Sequence, residues 1–373
     1  MTESDSPGWR TAIQHRLTDA REVVEETEPP ALAAGVVGLS SLLGAFAGFI
    51  VMSPYTVVLL LVFGLTVGYG WLQYQQKTAH AVTLTMTAST ILILGLITVF
   101  IFLEAWPMFE YATGTLYGVP VPGLKLFTWT EWDPVSREVY SMVPMIHGTV
   151  MVTIIATLVA GPLGVGTALF ISEMAPPTVR ELVKPGIEIL AGIPSIVYGF
   201  IGFTILSPWA STAFDINGQG TYLFVGLVVG LMALPTVVSV AEDALNSIPE
   251  SMKSGSLALG TTDWQTMTNI TIPAAFSGVS AAVLLGVGRA IGETMAATVM
   301  LRNSPDIAEP LYNVFYGFET LTSLIASRYG DSHGLQFNAL FVAGVILFIT
   351  VLCLSLGSQY IEARMEKNLG GNE

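Results

Sequence analysis

Long charge-free stretches dominate the pattern of this chain. Residues 31–72 contain no Asp, Glu, Lys or Arg, and similar stretches cover 78–103, 144–172, 189–214, 216–241, 264–288 and 332–361. A helix needs about 20 apolar residues to cross a bilayer core about 30 Å thick. The first stretch would make one helix roughly 63 Å long, twice what is needed. Ser53-Pro54 divides it into 31–52 and 55–72, because proline ends or restarts a helix. The pattern therefore predicts an all-α fold: a polytopic transmembrane helix bundle of about eight spans. The seventh span is expected to continue through Arg289 and Glu293 to about Leu301.

The polar connections give the bundle its direction. With the N-terminus inside, the inner connections hold Arg10, Arg16, Arg21, Lys77, Arg180, Lys184, Lys253, Arg364 and Lys367. The outer ones hold only Lys125, Arg137, Arg302 and Arg328. This excess places both termini in the cytoplasm. Trp71, Trp106, Trp209, Tyr222 and Tyr360 lie near span ends, where an aromatic belt is expected. The first apolar run begins at Ala31 and leads straight into another span, unlike a signal peptide. Residues 1–30 are an acidic segment in which Trp9, Ile13, Leu17, Ala20 and Val24 recur at helical spacing. Two readings of it stand: an amphipathic helix on the inner membrane surface, or a solvated acidic tail.

Composition narrows the class. Hydrophobic residues make up 52% and charged residues 11%, against about 25% charged in a soluble domain. This excludes soluble, disordered and collagen-like chains. A net charge of −14 argues against a nucleic-acid partner. The acidic excess fits a high-salt environment, where like charges are screened, and equally an ordinary acidic membrane protein. The single cysteine, Cys353, excludes a disulfide framework, and the four scattered histidines offer no metal cluster.

Three segments carry candidate chemistry. The first is the inner connection 242–273. Ser247 and Glu250 fit a capping box, Gly260 fits a left-handed helix end, and Thr262 with Gln265 fits a second capping box. The expected product is a helix-turn-helix with an apolar surface, suited to a partner's groove or to a merely structural role. The second segment is GVGRAIGETMA, 286–296. Arg289 and Glu293 lie four residues apart in an otherwise apolar run, so on a continuous helix they share a face and can pair. An intramembrane ion pair is a functional candidate, with helix packing as the alternative. Gly288-x-x-x-Gly292 would admit a close neighbour helix. The third is AGIPSIVYGF, 191–200, where Pro194 would break a helix within the membrane. Ser195 and Tyr198 would then face a pathway, unless the proline makes a simple kink. No Lys follows a Gly, so the phosphate-cradling G-x-x-x-x-G-K-[ST] loop of an ATPase is absent. No nucleophile–base set is visible, so no catalytic residue is assigned.

Gly260, nine residues, then Ile270-x-Ile272-Pro273 resembles the EAA loop of ABC importer permeases. Ser254, Gly255 and Ser256 stand where that motif begins, without its leading acid. Together with GRAIGETMA, WTEWDPVSREVYSMVPMIHGT and PLGVGTALFISEMAPP, the chain over 78–365 resembles the PstC-type phosphate importer permease. The resemblance implies a six-span permease core at 78–365, preceded by two extra spans at 31–77 and followed by a cytoplasmic tail at 366–373. It implies that Ser254, Gly255, Ser256, Leu259, Gly260, Ile270 and Pro273 belong to a loop that docks on an ATPase. It further implies that Arg289 and Glu293 line the phosphate path. The implied partners are a PstA-like sister permease, two PstB-like ATP-binding subunits and an external PstS-like phosphate-binding protein. ATP and Mg would sit on the ATPase, and no cofactor on this chain. The competing readings are a permease for sulfate or molybdate, a PstA-type subunit, and a secondary transporter or channel.

Overall fold

A backbone in lipid must satisfy its own N–H and C=O groups, and a helix does so internally. The computed structural model describes residues 28–215, 220–302, 304 and 306–368. The periodic tract 9–24 lies outside the described residues. The chain divides into two compact units, 1–98 and 99–373.

In the first unit, α1 (Pro29–Ile50) and α2 (Tyr55–Gln73) form a packed hairpin. The break falls at Ser53-Pro54 as predicted. The Ser53 carbonyl accepts from the Thr56 N–H at 3.2 Å and the Thr56 hydroxyl at 2.8 Å, which starts α2 across the proline. Leu43, Phe49, Leu61 and Leu65 are exposed on these helices, as suits a surface that meets lipid. The helix α3 (Gln75–Tyr111) follows Tyr74 and contributes Gln75–Thr98 to this unit.

The second unit begins in the rest of α3. A hairpin of β1 (Gly114–Leu116) and β2 (Val119–Val121) follows, turned by Tyr117 and Gly118, both at positive φ. After α4 (Leu124–Thr128), β3 (Trp132–Asp133) pairs with β4 (Val139–Tyr140). Next come α5 (Val143–Leu169), α6 (Pro177–Gly192), α7 (Ser195–Ile201), α8 (Ser207–Phe214) and α9 (Tyr222–Asn246). The short helices α10 (Glu250–Ala258) and α11 (Asp263–Thr266) lead into α12 (Phe276–Ile291) and α13 (Met295–Met300). The chain closes with α14 (Leu321–Arg328) and α15 (Leu335–Asn368). Turns of the wider π type interrupt the helices at Phe170–Met174, Gly202–Leu206 and Met267–Thr271.

Among the described residues, seven helical runs are long and apolar enough to cross a bilayer. An eighth crossing is available if Asp263–Ala274 and Phe276–Ile291, bent by 69°, count as one span. The core is organised around α9, which packs against both α5 and α12. Val225, Val229, Met232 and Val237 of α9 are buried with Val152, Ala156 and Ala160 of α5. Gly278 and Gly286 of α12 face Ala244 and Val237 so closely that a Cβ on either would stand 2.5 Å from them. These are the close approaches of α12, and Gly288, of the predicted small-residue motif, meets no neighbour within 4 Å.

Five further expectations are corrected. The seventh span does not run to Leu301 as one helix: it bends at Ala275 and breaks again at Gly292–Thr294. The fifth predicted span, 189–214, begins only at Ser195, because 177–192 is the amphipathic helix α6, with Arg180, Glu181, Lys184 and Glu188. Pro194 therefore marks the start of that span and does not break it midway. Ser247 ends α9 and bonds back to the Ala244 carbonyl, while Pro249 takes the N-cap of α10. Tyr222 is fully buried in the core and takes no part in an aromatic belt, whereas Trp71, Trp106, Trp209 and Tyr360 are exposed.

Candidate functional site

Two regions gather the predicted residues. The first is the break between α12 and α13. Arg289 sits in the last turn of α12, where a cation is favoured by the carbonyl ends of the helix. It is exposed, and among the described residues it has no ion-pair or hydrogen-bond partner. The predicted pair with Glu293 is not formed. A broken helix leaves the first N–H groups of its new segment orphaned, and Glu293 Oε1 accepts one of them, from Ala296 at 3.1 Å. The backbone at the break is held from a third element: Thr322 of α14 donates to the Glu293 carbonyl at 2.8 Å. The N-terminus of α14 is anchored in turn on α5, where Thr149 Oγ1 accepts from the Leu321 N–H at 3.0 Å.

The proline segment lies beside this break. Gly199 of α7 packs on α13 so tightly that a Cβ there would be 2.8 Å from the Ala296 Cα. Tyr198 is half-buried. Its hydroxyl donates at 3.1 Å to the Leu190 carbonyl, one of those freed where α6 ends. Ser195, half-buried at the start of α7, makes no side-chain hydrogen bond among the described residues. The structure thus brings the segment of Tyr198, through Gly199, against Ala296, the residue that Glu293 caps.

The second region is the helix-turn-helix 242–273. Gly260 takes φ +87°, and Thr262 and Gln265 form the predicted capping box at 3.2 and 3.0 Å. The hydroxyls of Ser256, Thr261 and Thr266 lie within 2.8–3.1 Å of one another and fix α10 to α11. Ser254 and Gly255 are exposed on α10, and Ser254 bonds only back to the Ser251 carbonyl, at 3.4 Å. Leu259 is 88% exposed and Trp264 64%, with Met252 and Leu257 also open. Ile270 is half-buried in the π turn, and Pro273 is exposed just before the bend. The result is an exposed apolar cap on a polar hinge.

Three ion pairs escaped the sequence pattern. Lys184 of α6 meets Glu242 of α9 at 2.9 Å, with Glu242 buried. Lys253 of α10 meets Glu173, in the π turn after α5, at 2.8 Å. Arg328 of α14 lies 3.7 Å from Glu319, whose side chain is fully buried. Burial pushes the Glu319 carboxyl above its usual range, against the opposing pull of Arg328 and the Ser327 hydroxyl. The only available signal was an acid bordering an apolar run, as at Glu173 and Glu242; spacing cannot reveal partners 80 and 58 residues away.

A bundle of spans with one broken crossing, and an exposed helix-turn-helix joining two of them, defines the membrane component of a transporter. Residues 160–367 match the family of binding-protein-dependent transport system inner membrane components, and the chain belongs to that family. A probable ABC transporter permease protein YqgH of Bacillus subtilis is 36% identical over 248 residues, covering 65% of this chain and 79% of the relative. The phosphate transport system permease protein PstC of Mesorhizobium japonicum is 30% identical over 311 residues, covering 78% and 91%. The crystal structure of a bacterial ABC transporter that imports the polysaccharide alginate shares the fold. The TM-score is 0.53 at 14% identity, over 80% of this chain and 97% of that one.

Proposed function

We propose that this chain is the permease subunit of an ATP-driven phosphate importer. It would lie in the cytoplasmic membrane with both termini inside. A PstA-like sister would complete the path, two PstB-like subunits would bind ATP and Mg, and an external PstS-like protein would deliver phosphate. The observation that carries the reading is Arg289: an exposed guanidinium in an apolar span, not spent on an ion pair among the described residues. A guanidinium matches phosphate oxygens bidentately, and a membrane protein rarely keeps such a charge without use. The resemblance to PstC supports phosphate as the anion. Because Glu293 caps α13, Arg289 needs no release from it before meeting an anion.

The test is labelled-phosphate uptake in vesicles holding the whole complex, with sulfate and molybdate as competitors. Arg289→Gln should insert normally and lower uptake roughly ten- to a hundred-fold, the worth of a charged hydrogen bond. Arg289→Lys should recover only part, since it lacks the planar fork. Normal uptake by Arg289→Gln would sink this assignment, and preferential inhibition by sulfate or molybdate would move it to another oxyanion.

A further inference from the structure

The exposed helix-turn-helix must be joined to the spans by something stiffer than its own hinge, or movement at its surface would be lost. The covalent route is soft. Towards α9 it passes through Ser247-Ile248-Pro249, and towards α12 through a π turn and a 69° bend. One side chain of α10 offers a direct link. Lys253 Nζ lies 2.8 Å from Glu173 Oε1, and both side chains are only 14% exposed. Glu173 stands in the π turn Phe170–Met174 that ends α5.

This anchor point is braced from two other elements. Arg180 of α6 donates from Nε to the Ile171 carbonyl and from Nη2 to the Ser172 carbonyl, both at 2.9 Å. Ser172 Oγ lies 3.0 Å from Glu173 Oε1 and 3.1 Å from Asn246 Oδ1, and donates to one of them. The ends of α5 and α9, the start of α6 and the body of α10 therefore meet around one carboxylate. Desolvating two charges is costly and gains little over apolar packing, so a nearly buried pair is better suited to fixing a geometry than to adding stability.

We infer that Lys253 and Glu173 are positioning residues that carry movement of the helix-turn-helix directly to α5. The inference rests on the importer reading and adds to it a route from the docking surface into the span that packs along α9. In this role the pair touches neither phosphate nor ATP, and it sets how much transport each hydrolysis event yields.

The experiment uses the complete complex in vesicles, supplied with phosphate-loaded binding protein. It reads phosphate taken up per ATP hydrolysed, together with co-purification of the ATP-binding subunit. Lys253→Met and Glu173→Gln should each lower that ratio about ten-fold, within the usual range of coupling between sites, while the ATP-binding subunit still co-purifies. The double variant should lose no more than either single one, because the two side chains act as one unit. Lys253→Arg, which preserves the pair, should keep the wild-type ratio. An unchanged ratio in the single variants, or additive losses in the double one, would overturn the inference. So would loss of the ATP-binding subunit, which would make the pair part of the dock. If the wild-type complex moved no phosphate, the importer reading itself would fail and take this inference with it.

Discussion

At the scale of single residues, Glu293 holds the first turn of α13 through the Ala296 N–H, so two replacements should part company. Glu293→Gln keeps a carbonyl oxygen for that bond and should leave thermal stability nearly unchanged. Glu293→Ala orphans the N–H and should cost about 0.5–2 kcal/mol, the usual worth of a lost helix cap. Melting of the purified variants in detergent measures the difference, and equal melting points would remove the capping role. Glu319 makes a prediction about pH. Its folded-state pKa is raised, chiefly by burial, so the folded protein binds the proton more tightly than the unfolded chain. Stability is then greatest below the ordinary carboxyl pKa and declines as pH rises through the window up to the raised value. Glu319→Gln cannot titrate and should flatten the decline across that window. A melting profile that declines as steeply in the variant would assign the effect to other groups.

At the scale of elements, the hinge of the helix-turn-helix depends on one left-handed residue. A Cβ placed on Gly260 would have no neighbour within 4 Å, so Gly260→Val would meet no clash there. Its cost comes from φ +87° alone, about 1–3 kcal/mol of backbone strain. That strain should displace α11 and Trp264, and phosphate-stimulated ATP hydrolysis by the assembled complex should fall while membrane insertion stays normal. Full stimulation would argue against docking through this loop. This hinge was legible beforehand because glycine, cap and spacing are local signals: Gly260, Thr262 and Gln265 act within five residues of one another. The spans were legible for the same reason, since length and apolarity need no partner. What could not be read depends on contacts distant in sequence. The break at Gly292–Thr294 is held by Thr322 and Ala296, and a helical spacing of four implied an ion pair that the broken helix cannot make. Trp132, in an outer connection, is buried and packs edge-on against Tyr140 at 5.7 Å, a contact its own position does not reveal. Tyr312, Phe315 and Tyr316 remain exposed.

At the scale of the whole molecule, the expected orientation can be tested at two open positions, Tyr117, 98% exposed, and Leu259, 88% exposed. With Cys353 replaced by serine, a membrane-impermeant thiol reagent should label Tyr117→Cys from outside. It should label Leu259→Cys only in inverted vesicles. Labelling of both from one side would refute the topology. The three π turns carry a consequence for how such a bundle can move. In each, an amide reaches back five residues: Ala175 to Phe170, Ser207 to Gly202 and Ile272 to Met267. A ring one residue wider than the α-helical one is rarely kept without use. It is slack in an otherwise taut rod, because passing the surplus residue along by one step turns everything beyond it without breaking the span. At Phe170–Met174 the surplus residue is pinned by Arg180 and by the Lys253–Glu173 pair, so among the described residues the slack lies at Gly202–Leu206 and Met267–Thr271, where each helix can turn beyond its wider ring.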